Sequence, residues 1–302
     1  MKAARVHGYG DTTTIKYDEV AKPIPGAGEI LIKIEASSLN PVENYVRQGL
    51  LAQRIPLAFP FVLGLDLAGI VEAVGSGVTE FRVGDRVIGK LPINGNGSNQ
   101  EYVVAAPAQL ARLADNVDFS AGATLPLAGL TGRQAVELVG PNKGEHVLVT
   151  GALGAVGRAA VQYLKEIGAV PFAAVRASRK AEVASLGIEA IDIDDFAGKA
   201  SFAGAVDTVG GEVLLKALKL VRDGGKVATA VQLPEGANAD KRVELNNFWA
   251  KDDTAMLTQV AEAAAKGLLN IPIAKTLKIS QVADGHKLLA AGHLGGKIIF
   301  VP

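Results

Sequence analysis

Short apolar runs separated by glycine, proline and asparagine make up the chain from Met1 to about Val117. Four of these runs have the length and residue types of strands: EILIKIEA, LAGIVEAVG, DRVIG and QEYVVAA. One helical segment, NPVENYVRQG, interrupts them. There Asn40 can cap a helix, Pro41 fits its first turn and Glu43 completes a capping-box pattern. The pattern predicts a mostly-β first region with one short helix.

From about Phe119 the pattern changes to strands that alternate with helices. The segments are, in order, HVLVT, GAVGRAAVQYLKEIG, VPFAAV, SRKAEVASLG, AIDI, AVDTV, EVLLKALKLV and GGKVATAV. Because neighbouring parallel strands need a crossover connection, this alternation predicts a doubly wound α/β domain. The tail LKISQVADGHKLLAAGHLGGKIIFVP adds one predicted helix and a final strand. A chain of 302 residues exceeds the usual size of one hydrophobic core, so we expect two domains.

The stretch TGALGAVG follows the first strand of the α/β region and opens a helix. In the dinucleotide-binding fingerprint, three small residues make a tight turn, let the backbone approach the pyrophosphate and let helix and strand pack closely. A loop that only turns from strand to helix also favours glycine, but the helix N-terminus that follows this loop favours an anion. We therefore expect the loop to bind a dinucleotide coenzyme. Its expected contacts are Gly151, Ala152, Leu153, Gly154, Ala155, Val156 and Gly157.

The residues after the second strand of this region indicate which coenzyme is bound. The strand VPFAAV is followed by RASRK, with no carboxylate before Glu182. A site for NAD usually has an acidic residue here, whereas arginine offers a planar set of donors that matches a phosphate. The pattern predicts NADP(H), with Arg176 as the leading contact and Ser178 and Lys180 beside it. The alternative is that Ser178 caps the next helix and the cations are solvated.

Charge and composition restrict the class of partner. Lys plus Arg and Asp plus Glu each number 31, so no net field attracts nucleic acid or an anionic membrane. The absence of cysteine removes disulfides and thiolate chemistry and is typical of a reducing compartment. No window reaches the ~18 apolar residues that span a bilayer. We expect a cytoplasmic protein with a small-molecule partner, and no nucleic-acid or membrane partner.

Five segments together resemble the medium-chain dehydrogenase/reductase superfamily: IKIEASSLNPVENYVRQG, GLDLAGIVEAVGSGVTEFRVGDRV, LPLAGLTGRQAV, VLVTGALGAVGRAAVQ and HKLLAAGHLGGKII. Within it they resemble the zinc-independent quinone oxidoreductase branch, the zeta-crystallin-like proteins. The resemblance implies a GroES-like, mostly-β catalytic domain formed by residues 1–118 and 272–302. It implies a Rossmann NADP(H)-binding domain formed by residues 119–271, with the coenzyme between the two domains. Homodimers or homotetramers are usual in this family.

The resemblance also bears on zinc. Zinc-dependent members carry a cysteine near the position of Asn40, and Gly-His-Glu where this chain has Gly64, Leu65 and Asp66. Leucine has no ligating atom. The spacings of the histidines do not suggest a three-ligand zinc site, and the last two are expected to be solvated near a helix end: His7, His146, His286 and His293. We therefore expect no metal.

Without a metal, reduction of an isolated ketone lacks its Lewis acid, and conjugated acceptors are easier targets. A hydride that enters an enone or a quinone ring leaves charge on a carbonyl oxygen, which a few donors can hold. The sequence thus predicts an NADPH-dependent reductase of quinones or α,β-unsaturated carbonyl compounds. A non-catalytic NADPH-binding sensor or structural protein of the zeta-crystallin type is the alternative, since fold does not determine activity.

Three further residues are candidates through the resemblance. Asn40 corresponds to a position beside the nicotinamide, where its amide can hold ribose or substrate, although helix capping equally explains it. Tyr45 matches a tyrosine that lines the site of related quinone reductases and is a candidate oxyanion donor, with packing as the alternative. Thr131 matches a threonine near the carboxamide, or bonds its own helix backbone. The expected coenzyme contacts are completed by Val209, Ala230 and Lys297.

Overall fold

The computed structural model describes residues 1–194, 201–239, 241–292 and 294–302. The chain divides into two compact units. The first comprises Met1–Leu127 and Asp252–Pro302, and the second comprises Ala128–Lys251. These divisions lie at somewhat different positions from the predicted domain boundaries at 118/119 and 271/272, which stay predictions.

The described residues form sixteen strands and eight α-helices. The strands are β1 (Lys2–Val6), β2 (Ile15–Glu19), β3 (Ile30–Ser38), β4 (Phe61–Val62), β5 (Asp66–Val74), β6 (Arg86–Lys90), β7 (Tyr102–Ala105), β8 (Leu110–Arg112), β9 (His146–Thr150), β10 (Val170–Val175), β11 (Glu189–Asp192), β12 (Phe202–Asp207), β13 (Val221–Thr229), β14 (Glu244–Asn247), β15 (Ile273–Lys278) and β16 (Lys297–Val301). The helices are α1 (Pro41–Arg47), α2 (Phe119–Ala123), α3 (Pro126–Val139), α4 (Ala155–Glu166), α5 (Lys180–Val183), α6 (Gly211–Leu220), α7 (Thr254–Ala265) and α8 (Val282–Ala291). None of the described helices has the length and hydropathy needed to cross a membrane.

The first unit is built mainly from strands, as predicted. Its larger sheet has the order β15-β16-β3-β5-β6-β8, with β7 also paired to β3, and a smaller sheet has the order β2-β1-β4. The antiparallel pair of β3 and β5 places Ser38 opposite Asp66. The terminal strand β16 pairs with the same end of β3, through Ile299 and Ser38. The register therefore brings the first residues of β5 and β16 to one end of the sheet. The expected GroES-like fold is confirmed.

The second unit is a parallel sheet with the order β11-β10-β9-β12-β13-β14. The chain starts at the central strand β9, adds β10 and β11 on one side and then crosses to β12 on the other. The strand order reverses between β9 and β12, which is where doubly wound folds bind their ligands. The inner strands are continuous apolar runs because helices cover both faces of such a sheet. The Rossmann prediction is confirmed.

The segment SRKAEVASLG does not form the single helix predicted for it. It consists of the 3-10 turn Ala177–Arg179, the four-residue helix α5 and the 3-10 turn Ala184–Leu186, after which Gly187 has φ +59°. Val183 is its one buried residue, and so little apolar burial cannot stabilise a longer helix. The alternative role for Ser178 as a helix cap is also wrong, because Arg176 and Arg179 occupy the N-cap positions.

Candidate functional site

The glycine loop of the second unit connects β9 to the N-terminus of α4. Gly151 follows the strand with φ +64°, and the Gly154 amide donates to the Gly151 carbonyl oxygen at 2.8 Å. Gly154 is the N-cap residue of α4, which begins at Ala155. The first amides of a helix have no partner within the helix and carry its positive end. The predicted loop thus presents backbone N–H donors suited to an anion.

The three glycines of this loop differ in what the fold requires of them. A Cβ atom on Gly157 would lie 2.2 Å from the Gly151 carbonyl oxygen, and one on Gly151 would lie 2.2 Å from Thr208 Oγ1. A Cβ atom on Gly154 would meet its nearest neighbour, the Gly151 oxygen, at 3.2 Å. Gly154 also has φ −79° and ψ 171°, which any residue adopts. Packing therefore requires Gly151 and Gly157, whereas Gly154 leaves backbone open on the side of the helix terminus.

A buried carboxylate lies at the same sheet edge. Asp207 ends β12, and its side chain accepts hydrogen bonds from Thr150 Oγ1 at 2.6 Å and Thr229 Oγ1 at 2.7 Å. Thr150 and Thr229 end the strands on either side, β9 and β13. All three side chains are buried. Asp207 was not among the predicted site residues, although a polar residue that ends an apolar strand of a parallel sheet was a usable signal.

Two predicted coenzyme contacts follow these strands directly. Val209 lies two residues after β12 and is 50% exposed, and Ala230 comes directly after β13 and is exposed. The carboxyl ends of parallel strands lie at one edge of a sheet, so both residues lie at the edge that carries the glycine loop. Their contacts with a coenzyme stay predictions.

The turn after β10 carries three cations in different circumstances. Arg179 is held by Glu182, with Arg179 Nη2 2.8 Å from Oε2 and Nε 2.9 Å from Oε1. Lys180 Nζ lies 4.0 Å from Asp192 Oδ2. Arg176 is exposed and forms no ion pair with any residue in the described ranges. Of the three, its guanidinium is the one best able to accept a new anionic partner.

The first unit contains a buried polar cluster formed by Ser38, Asn40, Glu43, Asp66 and Lys297. The Lys297 ammonium donates to Asn40 Oδ1 at 2.6 Å and to Asp66 Oδ2 at 2.8 Å. Asn40 Nδ2 donates to Asp66 Oδ2 at 2.9 Å and to Glu43 Oε1 at 3.0 Å. Ser38 Oγ also donates to Asp66 Oδ2, at 2.8 Å. The structure thus brings two predicted site residues, Asn40 and Lys297, into direct contact. Their other side-chain hydrogen bonds are also made to residues of this cluster.

Glu43 is the carboxyl group of this cluster that lacks a full set of partners. Its Oε1 accepts from the Asn40 backbone amide at 3.2 Å and from Asn40 Nδ2, whereas its Oε2 is buried without a partner among the described residues. Burial raises the pKa of Glu43 to about 8, and the nearby charge of Asp66 acts in the same direction. The raised pKa favours the protonated form of this carboxyl.

The donor set of this cluster fits an ammonium ion better than zinc. The oxygens of Asn40 and Asp66 both accept from Lys297, whose positive charge repels a second cation. Leu65 offers no ligand, and the chain has no cysteine. Throughout the part of the chain that the structure describes, no three His, Cys, Asp or Glu side chains lie close enough to share a metal ion. His293 lies outside the described residues.

Tyr45 lies on helix α1, two residues after Glu43 of this cluster. Tyr45 is 51% exposed, and its hydroxyl forms no hydrogen bond with the described residues. Contrary to the expectation of a solvated histidine, His286 of α8 is fully buried, and its Nδ1 lies 2.6 Å from Asn44 Oδ1 on α1. Burial lowers the pKa of His286 to about 3, and Arg47 adds to this effect. The missed signal was helical spacing, since Val282 four residues before His286 and Leu289 three residues after it lie on the packed face of α8. In the second unit, Thr131 is buried within α3.

Comparison with known proteins agrees with this architecture. The alcohol dehydrogenase GroES-like domain model matches residues 26–115, and the zinc-binding dehydrogenase model matches residues 187–300. The solved structure of the quinone oxidoreductase from Coxiella burnetii aligns with a TM-score of 0.89 and 25% identity, over 100% of this chain and 99% of that chain. The chain belongs to the medium-chain dehydrogenase/reductase superfamily.

Within this superfamily, the curated relatives are similar to the chain over part of their length. The chloroplastic quinone-oxidoreductase homolog of Spinacia oleracea is 38% identical over 172 residues, which are 55% of this chain and 52% of that protein. The quinone oxidoreductase of Homo sapiens is 38% identical over 170 residues, which are 56% of this chain and 50% of that protein. The matched segments therefore span about half the length of these two relatives. The predicted superfamily membership is confirmed.

Proposed function

We propose that the protein is an NADPH-dependent, zinc-independent reductase of quinones or α,β-unsaturated carbonyl compounds. The observation that carries the proposal is the glycine loop before α4, where Gly154 has an ordinary backbone conformation and packing restricts it less than it restricts Gly151 and Gly157. Close approach of a pyrophosphate to the helix N-terminus would explain why this position has no side chain. The similarity to proteins named quinone oxidoreductases supports the choice of acceptor.

The turn after β10 supports the choice of NADP(H). An exposed arginine without an ion pair among the described residues follows the strand, at Arg176, where a site for NAD usually has an acid. Its guanidinium can donate two hydrogen bonds to a 2′-phosphate. Ser178 and Lys180 lie on the same exposed turn. Val209, Ala230 and the loop 151–157 complete the proposed contacts in this unit.

The buried cluster of the first unit supports a reaction without zinc. Lys297 supplies the positive charge beside Asp66. When bound, NADPH supplies a hydride, and a quinone or enone then accumulates negative charge on an oxygen. The Tyr45 side chain is half exposed, its hydroxyl has no partner among the described residues, and we propose it as a donor to that oxygen.

The test is oxidation of NADPH by the purified protein in the presence of a panel of quinones, enones and isolated ketones, followed at the nicotinamide absorbance band. We expect turnover of quinones or enones, unchanged by EDTA, and none of isolated ketones. A matched Gly154→Val variant, whose fold is checked by circular dichroism, is expected to lose this turnover. Tight NADPH binding without turnover of any acceptor would instead identify a non-catalytic NADPH-binding protein, and activity that EDTA abolishes would contradict the zinc-independent reaction.

We further propose that the protein acts in the cytoplasm as a homodimer or homotetramer, with a small-molecule acceptor as its partner. The balanced charge of 31 basic and 31 acidic residues argues against a nucleic-acid partner. Light scattering coupled to size-exclusion chromatography measures the assembly state directly. A monomer at micromolar concentration would contradict this part of the proposal.

A further inference from the structure

Asp207 occupies the centre of the sheet edge that carries the glycine loop. In the strand order its strand, β12, lies between β9 and β13. The hydroxyls of Thr150 and Thr229, which end those two strands, both donate to the Asp207 carboxylate. The carboxylate therefore ties together the carboxyl ends of three neighbouring parallel strands.

The same carboxylate fixes the loop that follows β12. The backbone amide of Gly210 donates to Asp207 Oδ2 at 3.1 Å, and that of Val209 donates to Oδ1 at 3.3 Å. Thr208 bonds the neighbouring strand end, with its amide 3.1 Å from Thr150 Oγ1 and its hydroxyl 2.9 Å from the Thr150 carbonyl oxygen. The loops after β9 and β12 therefore form one hydrogen-bonded structure.

The loop after β13 is joined to this structure through Thr229. The Val231 amide donates to Thr229 Oγ1 at 3.3 Å. A Cβ atom on Gly210 would lie 2.9 Å from Val231 Cγ2, so the loops after β12 and β13 pack closely. Ala230, which lies between Thr229 and Val231, therefore has its backbone position fixed on both sides.

We propose that Asp207 is a positioning residue for the nicotinamide half of the coenzyme, a role that rests on the proposed coenzyme function. The strand order β10-β9-β12-β13 places the turn of Arg176 on the opposite side of β9 from Asp207. A dinucleotide with its 2′-phosphate at Arg176 and its pyrophosphate at the glycine loop extends next over the ends of β12 and β13. Asp207 holds the loops that carry Val209 and Ala230, which this half of the coenzyme then contacts.

The chemistry of the contacts selects the variants. In Asp207→Asn an NH2 group replaces one carboxylate oxygen. A threonine hydroxyl can rotate and accept a hydrogen bond from this group. The Gly210 amide is itself a donor and cannot bond to it. The Gly210 amide lies 3.2 Å from Oδ1 and 3.1 Å from Oδ2, so the variant leaves it one neutral acceptor in place of two charged ones, and we expect the loop to be held less firmly. Thr229→Val removes one hydroxyl with little change of volume and is the milder variant in case Asp207→Asn does not fold.

The experiment compares two ligands by isothermal titration calorimetry on the full chain: NADPH, and adenosine 2′,5′-bisphosphate, which lacks the nicotinamide half. We expect Asp207→Asn to raise the Kd for NADPH about tenfold or more, and Thr229→Val to raise it by several fold. The Kd for the bisphosphate is expected to rise by a clearly smaller factor than that for NADPH, because Arg176 is untouched and Thr150, which precedes the glycine loop, keeps its hydrogen bonds with Thr208. Thr124→Val is the matched control, since Thr124 is a buried threonine of the first unit whose hydroxyl bonds the Ala121 carbonyl oxygen at 2.6 Å. It is expected to lower the melting temperature without changing either Kd.

The outcomes separate this inference from the proposed function. If the wild-type protein binds neither ligand, the coenzyme function itself is wrong. If the wild type binds both and the two variants keep the wild-type Kd for NADPH, Asp207 is a structural residue only and the inference is overturned. Equal weakening of NADPH and the bisphosphate also overturns it, because a specific effect on the nicotinamide half is then absent.

Discussion

Two buried aspartates, one in each unit, are satisfied by different kinds of donor. Asp66 in the first unit accepts from the ammonium of Lys297, from the side chains of Ser38 and Asn40, and from the Leu127 backbone amide. Asp207 in the second unit accepts only from threonine hydroxyls and backbone amides among the described residues. Asp66 therefore has a charged donor in addition to neutral ones, whereas the donors to Asp207 among the described residues are all neutral, and two of them are backbone amides of the loop after β12.

The two aspartates are therefore expected to have different roles: Asp66 forms a buried charge pair, and Asp207 positions loops. Removal of Lys297 leaves a buried negative charge without its counter-ion, which is costly for folding. Removal of a donor from Asp207 leaves several others in place but releases a loop at the proposed coenzyme site. We therefore expect changes around Asp66 to act mainly on stability, and changes around Asp207 to act mainly on binding.

The largest expected effect follows from Lys297→Met. The variant should lower the free energy of unfolding by about 3–5 kcal/mol, because Asp66 keeps a buried charge. Urea denaturation of the purified protein measures this. Lys287→Met is a control, since Lys287 pairs with Asp284 on an exposed surface and should change stability by less than about 1 kcal/mol.

A double variant sharpens the same side of the comparison. Asp66→Asn in the Lys297→Met background removes the uncompensated charge and should restore part of the lost stability. If Lys297→Met alone costs no more than the surface control, the ammonium does not compensate Asp66 and our account of the cluster is wrong.

The next effect is a pH dependence caused by Glu43. Its pKa rises from the ordinary 4.5 to about 8 in the folded protein. The contribution of protonated Glu43 to the free energy of unfolding is therefore fully present below pH 4.5 and is lost as the pH rises towards 8. The expected slope is about 1.4 kcal/mol per pH unit over most of this window. Glu43→Gln, which mimics the protonated acid, should remove it.

The measurement is best made between pH 6.5 and 8. The pKa of His286 falls from the ordinary 6.5 to about 3, so this group lowers stability only as pH falls below 6.5. Urea denaturation of wild type and Glu43→Gln at several pH values in this range therefore isolates Glu43. Parallel stability curves for the two proteins would show that Glu43 titrates normally.

In the second unit, two glycines of one loop form a matched pair. Gly157→Ala places a Cβ atom against the Gly151 carbonyl oxygen and should lower the melting temperature. Gly154→Val should lower the melting temperature less than Gly157→Ala and weaken NADPH binding by about tenfold or more, because the branched side chain projects where the pyrophosphate approaches. Isothermal titration calorimetry measures the NADPH affinity of the two variants, and differential scanning calorimetry measures their melting temperatures. Unchanged NADPH affinity of Gly154→Val would mean that the loop only connects a strand to a helix.

Local patterns were sufficient for the parallel sheet, the glycine loop and the helix that begins after Asn40. They depend on periodicity and on residues close in sequence, such as the Asn40 backbone amide and Glu43. The partners of Asn40 in the buried cluster could not be predicted in this way. Asp66 lies 26 residues away and Lys297 lies 257 residues away, and they meet Asn40 only through the register of β3, β5 and β16.

The segment after β10 shows a second limit. The residues SRKAEVASLG have reasonable helix propensity, but they bury only Val183 and form short turns. Propensity without an apolar face does not maintain a helix. The contacts of the cations on this turn could not be predicted from the sequence either, since the pairing of Arg179 with Glu182 depends on which turns form.

Arg176 provides the most direct test of the central claim, which is that the second unit binds NADP(H). Arg176→Asp replaces a donor to the 2′-phosphate with a carboxylate that repels it and that can instead accept from the 2′-hydroxyl of NADH. The measurement is the pair of dissociation constants for NADPH and NADH, wild type against variant, at one fixed ionic strength. We predict that NADPH binding weakens at least about tenfold, while NADH binding is unchanged or improves. Equal weakening of both coenzymes, or no change in either, would contradict the account.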